Sequence, residues 1–226
     1  MKRITVLLAE DHNVVRQGLR AILNDEQDIV VIGEATNGRQ AVELTRFLHP
    51  DVVIMDIGMP LLNGLEATRQ ILKLDPMAKV LILSANGDDE SIGRVFPLGA
   101  AGYLLKHTSA EYLSDAIREV IKGNCVYSSA VSKKIRERST ILRAQNKSTL
   151  TTRASCLTSR EVELVQLVAE GQMNKEIARE LEISVKTVEK HWQRAMNKLD
   201  IHDIAGLTRY AIAARIVECS RTNLRV

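Results

Sequence analysis

Long apolar runs are missing from this 226-residue sequence. No run approaches the roughly 20 apolar residues that cross a bilayer, which excludes a membrane-spanning helix. The start Met1-Lys2-Arg3 is typical of a signal peptide, but the apolar run that follows breaks at Glu10-Asp11, too soon for a signal-peptide core. We therefore expect a soluble, cytoplasmic protein without a membrane partner.

Cysteine is also scarce, with three residues, Cys125, Cys156 and Cys219, that lie far apart. Neither a Cys-x-x-Cys pair nor the cysteine–histidine spacing of a zinc site is present. Reduced thiols in a cytosol fit this pattern better than a disulfide framework.

A large excess of charge of one sign is absent from the whole chain, because 31 Lys and Arg stand against 28 Asp and Glu. The two halves differ, however. Residues 1–125 hold 13 basic and 17 acidic side chains, a net charge of −4, whereas residues 126–226 hold 18 and 11, a net charge of +7. This split predicts two domains with different partners, and the basic domain is the candidate for binding a polyanion.

Strand-like and helix-like patterns alternate in the acidic half. Apolar runs predict strands at residues 4–9, 29–32, 52–55, 80–83 and 103–105, and helical spacing predicts helices at residues 13–23, 38–48, 64–74, 88–98 and 109–122. Pro97 lies near the end of the fourth helix, which we expect to be short or bent. Five successive β-α units predict a doubly wound parallel sheet.

Polar side chains follow four of these strands. Glu10 and Asp11 follow the first strand, Asp56 the third, Ser84 the fourth and Lys106 the fifth. Ligands of open α/β sheets bind beyond the carboxyl ends of the strands, so these groups are expected in one site. Each has a structural alternative, as a helix cap, a loop acid or a solvated lysine, and only their joint placement favours a site.

The residue types in this group indicate a chemistry. Clustered carboxylates repel one another unless a cation lies among them, and oxygen ligands favour Mg²⁺. A metal ion together with Lys106 would neutralise a phosphoryl group, whose transfer depends mainly on positioning and charge stabilisation. The hypothesis is that Asp56 is a nucleophile that forms an acyl phosphate, and that Ser84 donates a hydrogen bond to it.

These residues, with Met59-Pro60 after the central acid and with Tyr103, resemble the receiver domain of bacterial two-component response regulators over residues 1 to about 123. The resemblance implies a flavodoxin-like, five-stranded sheet of order 2-1-3-4-5. It also implies phosphorylation of Asp56 by a partner histidine kinase.

The resemblance further implies roles for individual residues. The Mg²⁺ ligands are Glu10, Asp11, Asp56 and the backbone carbonyl of Gly58. In the switch of this family, Ser84 moves toward the phosphoryl group, the ring of Tyr103 turns inward, and Lys106 binds the phosphoryl group. The sequence departs from the family pattern at Glu10, where Asp is common, and after Lys106, where no proline follows.

Between the two halves, residues 126–154 are polar, basic and rich in serine and threonine. They predict a linker with a short helix at residues 130–142 and a flexible tether after it. The predicted domains are therefore residues 1–125 and 155–220.

Helical signals dominate the basic half. Thr158 and Glu161 form a capping box before an apolar run that Gly171 ends. Asn174 is predicted to cap a second helix at residues 175–181, and Ser184 a third at residues 185–199. Two short helices joined by a tight turn in a basic domain predict an all-α helix-turn-helix domain.

The third helix carries one polar stripe at helical spacing, formed by Lys186, Glu189, Lys190, Gln193 and Asn197. A solvated face is the structural alternative, but a helix in this place is where a reader of the DNA major groove lies. Trp192 is ambiguous, and core packing is favoured over a DNA contact.

Residues 157–217 resemble the helix-turn-helix domain of the LuxR/NarL/FixJ group. The resemblance is carried by Leu157-Thr158-Ser159-Arg160-Glu161, Gly171, Asn174-Lys175-Glu176-Ile177-Ala178, Ser184-Val185-Lys186-Thr187-Val188, His191 and Lys198-Leu199. The implied contacts with double-stranded DNA are Lys186, Thr187, Glu189, Lys190, Gln193 and Arg194. Glu189 departs from the lysine frequent there, which leaves the base preference open.

A last helix, predicted at residues 204–217, has Ile204, Leu207, Ala211 and Ala214 on one side. In the family such a face pairs two domains on DNA, with half-sites about one helical turn apart. Packing within the monomer is the alternative. The resemblance as a whole implies a transcription regulator in which phosphorylation of Asp56 switches homodimerisation and DNA binding.

Two other functions fit part of this pattern. An aspartyl-phosphate hydrolase would share Asp56 and Mg²⁺, but it requires a second aspartate two residues on, where this chain has Gly58. A DNA-binding protein whose receiver takes no phosphate is the second. We expect no enzymatic activity beyond phosphoryl transfer to and from Asp56 itself.

Overall fold

A computed structural model of the protein describes residues 3–85, 89–129, 131–133 and 157–217. These residues belong to two compact units, one within residues 1–148 and the other within residues 149–226. Of the helix predicted at residues 130–142, residues 131–133 are helical, and the remainder lies outside the described residues. No helix among the described residues has both the length and the apolar character needed to cross a membrane.

A parallel sheet of six strands forms the centre of the first unit, in the order β2-β1-β3-β4-β5-β6. The strands are β1 (Ile4–Ala9), β2 (Ile29–Ala35), β3 (Val52–Asp56), β4 (Val80–Ser84), β5 (Gly102–Leu105) and β6 (Val126–Tyr127). The doubly wound sheet is confirmed, but the predicted five-strand order lacks β6. A two-residue strand is too short to show a pattern in sequence, and it forms because Val126 and Tyr127 pair with β5.

In the described part of this unit, a helix follows each of the first five strands. These helices are α1 (Asn13–Asn24), α2 (Gly38–Leu48), α3 (Gly64–Leu74), α4 (Asp89–Val95) and α5 (Ala110–Ile121). The fourth helix is short and passes into a 3₁₀ turn at Phe96–Leu98, which confirms the short helix expected from Pro97. Ser109 caps α5 by accepting a hydrogen bond from the backbone of Tyr112, also as predicted.

Strand β3 shows how the sheet positions its last residue. Val53 and Met55 belong to the core on the side of α2 and α3, and Val52 and Ile54 to the core on the side of α1 and α5. All five residues of the strand are buried, as expected for a central parallel strand. Asp56 is the last residue of this strand and therefore lies at the carboxyl edge of the sheet.

Residues 157–217, the described part of the second unit, form four helices, α6 (Ser159–Ala169), α7 (Asn174–Glu180), α8 (Val185–Leu199) and α9 (Ile204–Ala213). The predicted helix-turn-helix is α7 and α8, with Glu182 of the intervening turn in the left-handed region at φ 52°. The predicted cap at Asn174 is wrong. Met173 is the cap residue, because the Glu176 carboxylate reaches back to accept from the Met173 N–H at 2.8 Å.

Glu161 joins α6 to α8. Its carboxylate accepts from the Thr158 N–H at 2.8 Å and from Lys198 Nζ at 2.7 Å, and its own N–H donates to the Thr158 hydroxyl at 3.3 Å. The predicted capping box is therefore present. Burial opposes the charge, but the hydrogen bonds from Lys198 and Thr158 outweigh it and lower the pKa of Glu161 below its ordinary value. The ionised carboxylate is thus the form that stabilises this unit.

We expect Glu161→Gln to lower the free energy of unfolding of the second unit by about 1–2 kcal/mol at pH 7. Glutamine keeps the shape of the side chain but loses the charge that Lys198 binds. Because folding lowers this pKa, the stabilisation is present above the ordinary value of 4.5 and is lost as the pH falls through the lower pKa of the folded protein. Urea unfolding at pH 7 and pH 3 measures the effect.

Glu189→Gln is the matched control for this experiment, because Glu189 is exposed on α8. It changes the net charge equally and is expected to leave the stability nearly unchanged. Equal stability of Glu161→Gln and the wild type at pH 7 would contradict the assigned role.

Candidate functional site

The carboxyl edge of the sheet brings together the acids predicted from the sequence. Glu10 is 1% exposed and Asp56 is 5% exposed. One carboxylate oxygen from each of Glu10, Asp11 and Asp56, and one ring nitrogen of His12, all lie within 4.8 Å of one another. The acids converge because β1 and β3 are neighbouring parallel strands that end at the same edge. We call Glu10, Asp11 and Asp56 the acid pocket.

Lys106 extends into the acid pocket from the end of β5. Its Nζ lies 2.7 Å from Glu10 Oε2 and 3.0 Å from Asp56 Oδ2. Burial acts against the ammonium charge, but Asp56 and Glu10 outweigh burial and hold the pKa of Lys106 above its ordinary value. One positive charge therefore lies among three acidic side chains.

The charge of Asp56 is disfavoured by its surroundings. Burial, with the nearby charge of Glu10 adding to it, raises the pKa of Asp56 to about 6, although Lys106 opposes this shift. A carboxyl group with a pKa raised in this way is typical of functional sites. A cation in the acid pocket would relieve the repulsion.

Asp11 provides the observation that fits a metal ion. Its Oδ1 is buried and lies 2.9 Å from His12 Nδ1, and its carboxylate belongs to a group of three acids that each place an oxygen within 4.8 Å of the others. Carboxylates buried together are costly unless a cation lies among them. Because all three acids offer hard oxygen ligands, the acid pocket can hold a divalent metal ion. Gly58, predicted to add a carbonyl, lies two residues beyond Asp56.

The two predicted switch residues lie on the neighbouring strands. Ser84 is 3% exposed at the end of β4, and its carbonyl accepts from the Lys106 N–H at 2.8 Å. Tyr103 is 1% exposed and belongs to the core on the side of α2 and α3, so its ring lies inward. The sheet therefore places Ser84 at the same edge as Asp56, since β3 and β4 are adjacent.

The predicted DNA contacts lie on the outer face of α8. The exposed ones are Lys186, Glu189, Lys190, Gln193 and Arg194. Thr187 is half-buried, and its hydroxyl lies 2.8 Å from Ser184 Oγ, within the cap of the helix. On the inner face Val188, Ala195 and Leu199 are buried, and Trp192 is half-buried. The helix is thus fixed by one face and offers the other to solvent.

The predicted dimer face lies largely inside the second unit. Leu207 and Ala211 of α9 are fully buried, since α9 packs against α6, and Ala214 is 7% exposed. Packing within the monomer, the alternative, accounts for the burial of Leu207 and Ala211, and a dimer face on this helix stays a prediction. Ile204 is 53% exposed, and Ile212, which was not predicted, is 40% exposed.

Sequence reasoning missed Arg16 on α1. Its Nη1 donates to the backbone carbonyl of Glu10 at 2.8 Å. The sequence offers no signal for this contact beyond closeness along the chain, because a backbone carbonyl is common to all residues. Only the folded loop shows which carbonyl the guanidinium meets.

Comparison with known proteins gives two family matches. Residues 6–118, half of the chain, match the response regulator receiver domain. Residues 155–211 match the luxR family of bacterial regulatory proteins. The chain belongs to the LuxR-type response regulators.

Relatives of this response regulator match it over nearly the whole chain. It is 41% identical over 208 residues to the transcriptional regulatory protein LiaR of Bacillus subtilis, covering 92% of this chain and 96% of LiaR. The crystal structure of the response regulator ChrA, from a heme-sensing two-component system, is 31% identical, with 96% and 100% coverage and a TM-score of 0.52. A structure of two RcsB dimers bound to two parallel DNAs is 26% identical, with 92% and 98% coverage and a TM-score of 0.58.

These comparisons confirm the predicted family, fold class and function. The response regulator combines a receiver domain, which contains the acid pocket, with a DNA-binding domain, which contains α8. Its relatives regulate transcription.

Proposed function

We propose that Asp56 accepts a phosphoryl group from a partner histidine kinase in a Mg²⁺-dependent reaction, and that this step switches homodimerisation and DNA binding in the cytoplasm. The observation that carries the proposal is the acid pocket. Asp56 is 5% exposed and lies beside two further acids, and the Lys106 ammonium is 3.0 Å from its Oδ2. A solvated loop acid would not be buried among like charges.

The contacts of Asp56 support its role as nucleophile. Lys106 binds Oδ2, which leaves Oδ1 to attack phosphorus. The new O–P bond forms as the N–P bond of a phosphohistidine breaks, and the donor imidazole leaves with the electron pair and takes up a proton. The Lys106 ammonium offsets charge on the phosphoryl oxygens. The Ser84 hydroxyl is proposed to donate to one of them.

Glu10, Asp11 and Asp56, with the carbonyl of Gly58, would hold Mg²⁺. When bound, the ion supplies charge neutralisation for the arriving phosphoryl group. Asp11 is suited to this role because its Oδ1 is buried and an oxygen of its carboxylate lies within 4.8 Å of oxygens of Glu10 and Asp56. The Lys106 ammonium also pairs with Glu10, and its positive charge offsets the repulsion between the Glu10 and Asp56 carboxylates.

The output of the switch is the exposed face of α8. Its lysine, arginine and glutamine side chains can address base edges and phosphates in the major groove. Phosphorylation adds a charge of about −2, which is proposed to reshape the face of the receiver formed by α4, β5 and α5. The structure of RcsB dimers on DNA supports pairing on DNA. We propose no turnover of small phosphoesters, because Gly58 replaces the second aspartate of such hydrolases.

DNA sites selected from a random pool allow a direct test. We expect a small phosphodonor with Mg²⁺ to raise the DNA affinity of the wild type roughly tenfold. Asp56→Ala is expected to show no response, because it lacks the accepting oxygen. Band-shift titrations of both proteins, with and without the donor, measure the effect.

Equal affinity in all four titrations would overturn the switch. A wild type that binds DNA but incorporates no phosphate would favour a receiver that acts through protein contacts alone. Steady release of phosphate from small phosphoesters would favour the hydrolase.

A further inference from the structure

Arg16 holds the backbone of the two residues that supply the first acids of the acid pocket. Its Nη1 donates to the carbonyl oxygen of Glu10 at 2.8 Å and lies 3.5 Å from that of Asp11. Its Nε donates to Glu34 Oε2 at 2.9 Å, and its Nη2 to Asn13 Oδ1 at 3.0 Å. The side chain is 12% exposed. Its guanidinium is held by partners on β2, in the loop after β1 and on α1.

The side chains of the loop between β1 and α1 are held by His12, whose N–H donates to Glu10 Oε1 at 3.2 Å and whose Nδ1 lies 2.9 Å from Asp11 Oδ1. His12 is the cap residue of α1, but its side chain makes no cap hydrogen bond. The Glu10 N–H donates to the Ala35 carbonyl of β2 at 3.0 Å. The backbone of Glu10 is thus bound to β2 through its N–H and to Arg16 through its carbonyl. Loss of the guanidinium would free the peptide group that leads directly into Asp11.

The charge of Arg16 also suits its place. Glu34 is its counter-ion, but Arg20 shares that carboxylate, with Nη1 2.6 Å from Oε1. Two guanidinium groups therefore share one carboxylate beside the loop. Only arginine offers a planar fork that can bind a carboxylate and backbone carbonyls at the same time.

We propose that Arg16 is a positioning residue that fixes the Glu10–Asp11 backbone so that both carboxylates face Asp56, and that it thereby sets the affinity for Mg²⁺. This inference rests on the proposed function of the acid pocket. Arg16 acts through the backbone of two ligands and is not itself a ligand. Groups that only orient metal ligands typically change metal affinity roughly 10- to 100-fold when they are removed.

Calorimetric titration of the full chain with MgCl₂, well below the melting temperature, tests the proposal. Arg16→Met is expected to weaken Mg²⁺ binding roughly tenfold or more. Arg16→Lys keeps the charge but not the fork, and an intermediate loss is expected. The matched control is Arg20→Met, which removes the other partner of Glu34 from a side chain that is 57% exposed, and it is expected to bind Mg²⁺ as the wild type does.

A purely structural role would lower the melting temperature of Arg16→Met and leave its Mg²⁺ dissociation constant unchanged, and that result would overturn the proposal. An equal loss in Arg20→Met would also overturn it, because the effect would then belong to the charge around Glu34. Should Arg16→Met fail to fold, the comparison of Arg16→Lys with Arg20→Met decides, and equal Mg²⁺ affinity of these two would overturn the proposal.

The outcome also separates this inference from the proposed function. If the wild type binds Mg²⁺ and takes up phosphate, and Arg16→Met does both equally well, only the role of Arg16 falls. If the wild type binds no Mg²⁺, the proposed function of the acid pocket and the role of Arg16 fall together.

Discussion

Asp56→Asn is expected to raise the free energy of unfolding of the receiver by about 2–3 kcal/mol in metal-free buffer at pH 7.5. Burial raises the pKa of Asp56 from an ordinary value of 3.8 to about 6, so the folded protein carries a charge that its surroundings disfavour. Asparagine has the same shape without the charge. Lys106 keeps Glu10 Oε2 as a partner at 2.7 Å, so its ammonium is not left unpaired. Urea unfolding in EDTA measures the gain.

The sign of this effect gives it a pH dependence. The unfolded chain ionises near 3.8 and the folded protein near 6, so the wild type loses stability as the pH rises through this interval and no further above it. The advantage of Asp56→Asn is therefore expected to vanish near pH 4 and to be complete above pH 6. Mg²⁺ is expected to reduce the advantage, because the ion binds the ionised carboxylate of the wild type.

Asp25→Asn is the matched control, because Asp25 is exposed and its replacement changes the net charge equally. It is expected to shift the stability little at any pH. An Asp56→Asn variant less stable than the wild type in EDTA at pH 7.5 would show that the carboxylate of Asp56 is held favourably, and the electrostatic account of the acid pocket would be wrong.

Gly64→Ala is expected to destabilise the receiver by about 3 kcal/mol. A Cβ atom at this position would lie 1.8 Å from the backbone oxygen of Asp56 and 2.8 Å from its carbonyl carbon. Backbone atoms cannot yield as a flexible side chain can, so the start of α3 must move away from the end of β3. Because β3 carries Asp56, we also expect weaker Mg²⁺ binding. Urea unfolding and titration with MgCl₂ measure the two losses.

Gly18→Ala is the matched control for this substitution. Gly18 lies within α1, and a Cβ atom there would meet nothing within 4 Å. Alanine is expected to stabilise the helix by roughly 0.5–1 kcal/mol, because glycine loses more conformational entropy on folding. A Gly64→Ala protein as stable as the wild type would contradict the close approach of α3 to β3.

The sequence by itself determined which side chains form the acid pocket, but not the hydrogen bond from Arg16 that holds the Glu10 backbone. Each apolar run ends at a polar residue, and in a parallel sheet the residues that follow the strands lie at the carboxyl edge. Glu10, Asp11, Asp56 and Lys106 could therefore be placed in one site from the ends of three runs. The same reasoning predicted the exposed face of α8, because helical spacing separates Val188, Ala195 and Leu199 from the polar stripe.

The predicted side-chain caps are correct at three helix starts. Thr158, Ser109 and Ser184 accept the hydrogen bonds that their types predict. At α7 the cap residue is Met173, which offers no acceptor, and the carboxylate of Glu176 binds its N–H instead. The prediction of Asn174 as the cap is wrong because residue type alone does not show which of two neighbouring positions is the cap.

The tertiary structure alone decided the partners that no pattern specifies. Strand β6 exists because two residues pair with the free edge of β5, and Leu207 and Ala211 are buried because α9 packs against α6. The hydrogen bond from Arg16 to the Glu10 carbonyl depends on the path of the loop between β1 and α1. Periodicity in a sequence records which face of an element is apolar, whereas what covers that face, and which backbone group a side chain reaches, is settled only by the packing of elements distant in the chain.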